Sequence, residues 1–214
     1  LVYSRPIDGK WQLMVRWWAP GQGWSIGRRA GPLPDSDLFA QTVHVAPDGH
    51  GTILFKEDRS PTEEAPWALE QRETGYDGTW GEMTLLDPDY GRVDGWSTKV
   101  EADGSFTTIW ANYTNPGRSL FARRYTRANG WEPRQTISRS DRVQRGNPAL
   151  VGDTTGRRLA AWIERPSADR LAVWTSRFEP GSGWTAPSLL AEEDAGSSPS
   201  LTAAWLPSGA TLVL

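Results

Sequence analysis

A Gly-Trp motif recurs along this chain of 214 residues, each time inside the same local pattern. Its four copies are spaced by 56, 51 and 53 positions, with threonine replacing the glycine in the second copy: Gly23-Trp24, Thr79-Trp80, Gly130-Trp131 and Gly183-Trp184. Self-similarity at a period of this length indicates that one supersecondary unit is repeated. The fold therefore has to be deduced from that unit.

Each unit opens with two short apolar runs that are separated by a turn rich in Asp and Gly. The turns lie at residues 47–49, 103–104, 153–156 and 207–209. Asp-Gly between apolar runs is a strong hairpin signal, because glycine adopts positive φ at little cost. The second runs, at residues 52–55, 107–110, 159–162 and 211–214, have strand length and no helical period.

The third and fourth segments of the unit complete a four-stranded pattern. The third alternates apolar and polar residues at positions 11–18, 120–125 and 171–178, and more weakly at 67–72. The fourth covers residues 131–137 and 184–190 and contains Pro133 and Pro187. Because proline cannot donate to a sheet, it is tolerated on edge strands. The fourth segment is therefore predicted to be the outer strand.

Four antiparallel strands per unit are typical of one blade of a β-propeller. The sequence predicts an all-β propeller of four-stranded antiparallel blades, with about four repeats of roughly 53 residues and negligible helix. A stack of two β-sandwiches is the alternative. One domain is expected over residues 1–214, with approximate blade units 1–40 together with 199–214, 41–94, 95–146 and 147–198. The ring closes within the chain, or the chain is a window of a larger propeller.

Composition excludes several classes of function. The formal net charge of −3 gives no basic surface for nucleic acid. No stretch approaches the roughly 18 apolar residues of a membrane span. The chain has no cysteine and only two histidines, His44 and His50, which are not arranged at ligand spacing. We therefore expect no zinc site and no cofactor.

The recurring frame resembles a known family. It consists of an apolar run, an Asp-Gly turn, an apolar run ending in Trp, a loop, an aromatic strand and Gly-Trp. Over nearly the whole chain this frame looks like the Trp-rich β-propeller repeats of bacterial secreted proteins, which are similar to sialidase-like propellers and to propeller lectins that bind sugars between blades. The sialidase signature Ser-x-Asp-x-Gly-x-x-Trp is absent, and residues 76–80 are its nearest approach. The resemblance thus implies the fold and not sialidase activity.

The tryptophans and arginines that recur in register are interpreted as packing residues. Rings at Trp24, Trp80, Trp131 and Trp184 occupy equivalent positions, and large aromatic side chains bury much area. Eight residues before each tryptophan stand Arg16, Arg72, Arg123 and Ser176. Guanidinium groups commonly lie on neighbouring rings, so these arginines are expected to be structural.

Ligand recognition is expected at the positions where the units differ. These are the loops from an outer strand to the next inner strand and the loops between second and third strands, because binding residues concentrate on loops that a rigid scaffold presents. The predicted ligand-binding residues combine two aromatic rings with polar groups: Asp89, Tyr90, Asp94, Tyr113 and Asn115. Other polar loops include 141–142 and 192–194. Shallow sites of this kind imply affinity near ~1 mM.

An enzyme is not expected. A glycoside hydrolase needs a pair of carboxylates about 5–10 Å apart, and the candidates are Asp48, Glu101, Asp103 and Asp153. Three of them fall in hairpin turns, where Asp serves turn chemistry alone. Asn112-Tyr113-Thr114 also fits a glycosylation acceptor, a pattern that is common by chance.

The sequence therefore predicts a non-catalytic binding module, most plausibly glycan-binding and lectin-like, of a secreted or cell-surface bacterial protein. A protein-interaction scaffold within a larger assembly is the first alternative, and a propeller-type glycoside hydrolase is the second. The expected partner is a glycan or a protein, with no nucleic acid and no membrane span. The oligomeric state is left open.

Overall fold

A computed structural model of the chain describes residues 1–30, 36–45, 49–58, 67–74, 79–86, 93–101, 103–114, 117–139, 142–143, 146–195, 200–206, 208–209 and 211–213. Within these ranges the regular structure consists of strands that pair antiparallel, and there is no helix. The prediction of an all-β chain is confirmed. The described residues therefore include no helix that could cross a membrane. The chain divides into two compact units, Leu1–Arg92 and Val93–Leu214.

The first unit contains two main sheets. A three-stranded sheet of order β1-β2-β5 is accompanied by the small β3-β4 hairpin: β1 Val2–Ile7, β2 Lys10–Val15, β3 Trp18–Ala19, β4 Gly23–Trp24 and β5 Arg28–Arg29. A four-stranded sheet of order β6-β7-β8-β9 follows: β6 Asp37–Val45, β7 Gly51–Asp58, β8 Trp67–Thr74 and β9 Trp80–Leu85. Their facing surfaces share a buried core that includes Leu13, Leu38 and Phe55.

The second unit contains two sheets with the same strand order and a short hairpin. The first sheet comprises β10 Val93–Val100, β11 Phe106–Thr114, β12 Gly117–Thr126, β13 Gly130–Trp131 and β14 Gln135–Thr136. The second comprises β15 Ala149–Gly152, β16 Arg158–Ser167, β17 Arg170–Glu179, β18 Gly183–Trp184 and β19 Ser188–Asp194. The hairpin pairs β20 Ala203–Trp205 with β21 Thr211–Val213.

The fourth segment of the sequence unit forms the outer side of each sheet, as the prolines predict. In the two sheets of the second unit this segment is split into two short strands, and both pair with the third strand of their sheet. Pro133 lies between β13 and β14, and Pro187 lies between β18 and β19. Because proline lacks an N–H donor, it interrupts the ladder at these points.

Two hairpins are tighter than the sequence suggests. In the sequence, polar stretches at 112–116 and 165–169 separate the second and third segments, which predicts loops there. Instead β11 continues to Thr114 and pairs it with Gly117 of β12. Likewise β16 continues to Ser167, which pairs with Arg170. Cross-strand pairing therefore extends through polar residues, because the ladder bonds do not depend on side-chain polarity.

The two large sheets of the second unit pack against one another. Leu120, Ile109 and Trp162 are among the buried side chains of their common core. The backbone N–H of Leu150 donates to Oγ of Ser97 at 3.2 Å, which ties β15 to β10. Gly95 lies so close to residues 146 and 147 that a Cβ atom there would stand 2.6 Å from Oδ1 of Asn147. The absence of a side chain at Gly95 therefore permits the close approach of the two sheets.

The Gly-Trp motif has one structural role in both sheets. Gly130 and Gly183 have φ values of 69° and 82°, a left-handed conformation that glycine adopts without strain. The turn returns the chain so that Trp131 lies across from Tyr125, and Trp184 lies across from Phe178. The ring centroids of these two pairs are 5.3 and 5.5 Å apart. Trp131 and Trp184 are therefore packing residues, as predicted.

The residue eight positions before the second, third and fourth tryptophans also has one role. Nε of Arg72 donates to the Gly81 carbonyl at 3.0 Å, and Nε of Arg123 donates to the Glu132 carbonyl at 2.8 Å. Both guanidinium groups lie over the ring of the motif, at 5.8 and 5.4 Å from its centroid. Ser176 reaches the equivalent carbonyl, that of Thr185, with its hydroxyl at 2.8 Å. The structural interpretation is confirmed for Arg72, Arg123 and Ser176, and for Arg16 it stays a prediction.

The first copy of the motif differs in its surroundings. Trp18 and Trp24 form a cross-strand pair, but their side chains are 58% and 56% exposed. In the second unit, β11 carries Phe106, whose ring centroid lies 5.2 Å from that of Trp131. Strand β1 begins at Val2, which pairs with Val15, so it does not extend across from Trp18. The assignment of the chain to one ring of four blade units stays a prediction.

These contrasting environments predict different costs for removing the same ring. Trp131→Ala should lower the free energy of unfolding by about 3–5 kcal/mol, because it removes an aromatic contact from the core. Trp24→Ala is the matched control and should change it by less than about 0.5 kcal/mol, as for exposed residues. Urea unfolding of both variants measures the difference. Equal costs would show that the motif is not a packing element.

The close approach at Gly95 gives a second test. Gly95→Ala should destabilise the protein by about 1–3 kcal/mol, because the new methyl group overlaps residues 146 and 147 unless the sheets separate. At Gly81 the nearest atom to an added Cβ is Cβ of Glu73 at 3.6 Å. Gly81→Ala should therefore be neutral or stabilising by up to about 1 kcal/mol. Thermal unfolding of both variants provides the measurement. A Gly95→Ala variant as stable as the wild type would show that the sheets do not need a glycine at this position.

Candidate functional site

Two of the five predicted ligand-binding residues, Asp94 and Tyr113, lie within the described ranges. Asp89, Tyr90 and Asn115 lie outside the described residues. Asp94 lies on β10 and Tyr113 lies on β11, where the backbone alone is described. Tyr113 thus belongs to a strand rather than to the loop in which the sequence placed it. Their role as ligand contacts stays a prediction.

A pocket in the second unit begins with a row of residues across three strands. Glu164 of β16 lies across from Ala172 of β17, which in turn lies across from Glu192 of β19. Residues in register share one face of a sheet, and side chains two positions apart on a strand share it as well. Trp174 therefore joins the row on the same face, where it lies across from Trp162.

The other wall of the pocket is the segment that follows β14. The N–H of Val143 donates to the Arg118 carbonyl at 3.2 Å, and the N–H of Arg165 donates to the Arg142 carbonyl at 3.1 Å. Residues 142–143 are thereby fixed between the sheets. NH1 of Arg142 donates to the Pro166 carbonyl at 2.6 Å. The guanidinium carbon of Arg139 lies 5.4 Å from the centroid of the Trp174 ring.

We call this site the loop pocket, a cavity of about 490 Å³. Its walls are formed by Arg139, Arg142, Glu164, Pro166, Ala172, Trp174 and Glu192. The volume lies within the range of about 300–1,000 Å³ that small-molecule sites occupy. The pocket therefore combines a half-buried indole ring with two guanidinium groups and two carboxylates.

The carboxylates of the loop pocket are held by neighbouring donors. Nε1 of Trp162 donates to Oε1 of Glu164 at 3.0 Å, and the Glu164 side chain is buried. Oε2 of Glu192 lies 3.2 Å from NH2 of Arg170, whose NH1 lies 3.0 Å from Oδ1 of Asp194. These hydrogen bonds to Glu192 and Asp194 raise the pKa of Arg170. Among the described residues, Arg139 makes no ion pair and no hydrogen bond, and its one contact is the Trp174 ring.

A second and larger cavity lies at the opposite, hairpin-turn end of the same two sheets. This turn cavity, of about 730 Å³, is bordered by residues 99–105 and 153–156 and by the side chains of Arg124, Glu132, Arg158 and Phe178. NH2 of Arg158 lies 3.0 Å from Oε1 of Glu101, and NH1 of Arg124 lies 3.2 Å from Oε1 of Glu132. These four charges are therefore already paired across and within the sheets.

The aspartates of the turn cavity serve the turns. Oδ1 of Asp103 accepts from the N–H and the hydroxyl of Ser105, at 2.9 and 2.6 Å. These bonds lower the pKa of Asp103. Burial raises the pKa of Asp153, but hydrogen bonds from Thr155 and Arg157 outweigh that effect and lower it to about 2. Both groups are thus ionised at neutral pH. Asp48, the remaining turn aspartate considered from the sequence, lies outside the described residues.

Two other possible sites are not supported by the described residues. Asn112, the acceptor of the glycosylation pattern, lies within β11 and is 1% exposed, so a glycan cannot be attached to it in the folded chain. Across the described ranges, no group of three or more His, Asp or Glu side chains could hold a metal ion.

The sequence reasoning found only part of the loop pocket. It included Arg142 and Glu192 among the polar loop residues, but it assigned Trp174 to an alternating strand and did not single out Arg139 or Glu164. The sequence does show that Trp174 and Phe121 occupy equivalent positions in the repeat. In the structure Trp174 lies across from the buried Trp162, and Phe121 lies across from the buried Trp110. A repeat alignment shows that equivalence and does not show which ring faces a cavity.

Comparisons with known proteins bear on the fold. No protein-family model matches the chain, and no curated protein matches it. The chain is similar to a crystal structure of a protein of unknown function from Dyadobacter fermentans DSM 18053, with a TM-score of 0.61 and 12% identity over 98% of this chain. It spans 65% of that structure's length. At that identity the likeness shows the fold alone.

A second solved structure is an endo-arabinase from Bacteroides thetaiotaomicron VPI-5482. Its TM-score is 0.40 at 14% identity, covering 88% of this chain and 72% of the other. That likeness carries no argument about activity.

The lowered pKa of Asp153 predicts a pH-dependent effect of its substitution. Its folded-state pKa of about 2 lies below the ordinary value of 3.8, so the ionised carboxylate stabilises the fold above about pH 3.8. That contribution is lost as the pH falls towards 2. Asp153→Asn should therefore be less stable than the wild type at about pH 6, and the difference should shrink between about pH 4 and 2. Urea midpoints of both proteins across this range provide the test. A constant difference would exclude this role for the carboxylate.

Proposed function

We propose that the chain is a non-catalytic, lectin-like binding module of a secreted or cell-surface bacterial protein, and that its sheets are blades of a β-propeller. The repeated strand order with a proline-interrupted outer strand supports the propeller. The proposed module needs no cofactor and binds no nucleic acid. Its ligand is a glycan, and its principal site is the loop pocket.

One observation carries this proposal. The Trp174 ring in the loop pocket is bordered by donors and acceptors of hydrogen bonds on both sides of the cavity. The C–H faces of sugar rings pack against aromatic rings, and their hydroxyl groups need both donors and acceptors. Guanidinium groups supply donors only, and carboxylates supply acceptors only. The loop pocket offers both beside a ring.

The state of the carboxylates in the turn cavity argues against hydrolysis at that cavity. A glycoside hydrolase needs one carboxyl group whose pKa is raised so that it can protonate the leaving group. In the turn cavity the pKa values of Asp103 and Asp153 are shifted in the opposite direction. Glu101 is paired with Arg158 at 3.0 Å. We therefore propose no turnover at this cavity.

The five residues named from the sequence remain proposed contacts of the glycan. Tyr90 and Tyr113 would supply rings, while Asp89, Asp94 and Asn115 would supply polar groups. Each such site is shallow, so the expected affinity is near ~1 mM for a single site, and several sites together raise it.

A protein-interaction scaffold is the second candidate. In the first unit the side chains of Trp18, Trp24 and Ile26 are 58%, 56% and 83% exposed. Exposed apolar groups of this size occur at protein interfaces. This observation favours docking of another protein onto the first unit.

The proposal is tested by titrating a panel of glycans while NMR follows the backbone amides and indole N–H groups. We expect shifts at Trp174 and around residues 139–143, loss of those shifts in Trp174→Ala, and no hydrolysis of common glycosides. Trp24→Ala is the matched control, because it removes an exposed tryptophan distant in sequence from the loop pocket, and it should bind as the wild type does. If no glycan shifts any resonance, the glycan proposal is wrong.

A further inference from the structure

We infer that Arg139 makes the loop pocket selective for glycans that carry a carboxylate on the sugar ring, that is, for uronic acids. This inference rests on the proposed function, because it names the class of sugar that the same pocket takes. The supporting observation is that Glu164, Glu192 and Arg142 are hydrogen-bonded to other described residues, whereas the Arg139 guanidinium is not.

Both carboxylates of the loop pocket are engaged by protein donors. Glu164 is buried and accepts from Nε1 of Trp162 at 3.0 Å. Glu192 is paired with Arg170 at 3.2 Å. Each carboxylate retains lone pairs for sugar hydroxyls. The charge of Glu192 is offset by Arg170, whereas Glu164 is buried and its hydrogen bond comes from a neutral indole.

Arg142, the first of the two guanidinium groups, is engaged by the backbone. Its NH1 donates to the Pro166 carbonyl at 2.6 Å, and its own carbonyl accepts from Arg165. These bonds fix Arg142 at the wall of the pocket. Its main role is therefore to hold residues 142–143 between the sheets.

Arg139 differs from every other charged group of the pocket. Within the part of the chain that the structure describes, it has no carboxylate and no carbonyl partner. It is exposed and lies over the Trp174 ring, where its guanidinium carbon is 5.4 Å from the centroid. No described residue accepts a hydrogen bond from the five N–H donors of this guanidinium, which lie beside the surface on which a sugar ring would pack.

This arrangement treats neutral and acidic sugars differently. Any sugar that packs on Trp174 competes with Arg139 for the ring face, and a neutral sugar gains no ion pair in return. A uronic acid can pack beside the guanidinium and accept two parallel hydrogen bonds with its carboxylate, the geometry that arginine favours. The position of Arg139 therefore favours the acidic ligand and disfavours the neutral one.

The test uses two ligands that differ only at C6, methyl β-glucuronide with a carboxylate and methyl β-glucoside with a hydroxymethyl group. NMR titration of the wild-type chain should show the glucuronide binding about fivefold more tightly, as expected for a partly exposed charge pair. The preference should decrease as ionic strength rises, because salt screens the pair. The affinity for the glucoside should not depend on salt in this way.

Substitution of Arg139 separates selectivity from packing. Arg139→Gln should remove the preference, with weaker glucuronide binding and equal or stronger glucoside binding, and Arg139→Lys should retain part of it. Arg134→Gln is the matched control, because the Arg134 guanidinium lies over the Phe121 ring at 4.4 Å without lining the loop pocket. It should leave both affinities unchanged.

The outcomes are distinguishable from failure of the proposed function. If neither ligand nor any glycan of the panel shifts Trp174, the glycan proposal itself fails. If both ligands bind with equal affinity, or if Arg139→Gln weakens both alike, the pocket binds sugars without selecting acidic ones and this inference is overturned. A preference that persists in Arg139→Gln would likewise overturn it.

Discussion

The face-to-face packing of the two large sheets in the second unit is the constraint on which the rest of that unit depends. Burying side chains such as Leu120 and Ile109 stabilises the fold by roughly 1.5–3 kcal/mol each before entropy is considered. The sheets can approach only because Gly95 carries no side chain. The contact between the sheets also creates the cavities at both ends of the shared core, because the turn cavity is lined by residues of both sheets and the loop pocket by the second sheet and the segment between the sheets.

Trp162 connects this packing to the candidate site. Its ring belongs to the buried core, while its indole N–H holds the Glu164 carboxylate at the floor of the loop pocket. A buried indole usually finds an acceptor in this way. Across the strand pair, Trp174 turns the same kind of ring towards the cavity. One residue type thus serves the core at one position and the candidate site at the next.

The turn cavity shows how charges are accommodated between sheets. Arg158 is only 2% exposed, and burial lowers its pKa while Glu101 acts in the opposite direction. A buried ion pair adds little net stability, but removing one partner leaves an uncompensated charge. The pair of Arg158 and Glu101 therefore fixes which surfaces of the two sheets meet. Its geometry is that of a structural contact between β16 and the end of β10.

The sequence by itself determined the repeat, the all-β class, the outer position of the proline-bearing segments and the packing role of Trp131. These features are local, because turn residues, strand periodicity and the missing N–H of proline act on neighbouring residues and need no long-range contacts. The sequence did not determine how far the hairpins extend. Strands β11 and β16 continue to Thr114 and Ser167 because cross-strand hydrogen bonds form there in spite of the polar side chains.

Only the tertiary structure decided that Trp174, Glu164 and Arg139 lie around one cavity. Trp174 and Phe121 occupy equivalent positions in the repeat, yet the guanidinium over each ring comes from a different place in the chain, Arg139 and Arg134. Which ring borders a cavity depends on the segment that crosses from one sheet to the next. Its path is set by backbone bonds to residues distant in sequence, such as Arg118 and Arg165, and periodicity carries no information about such bonds.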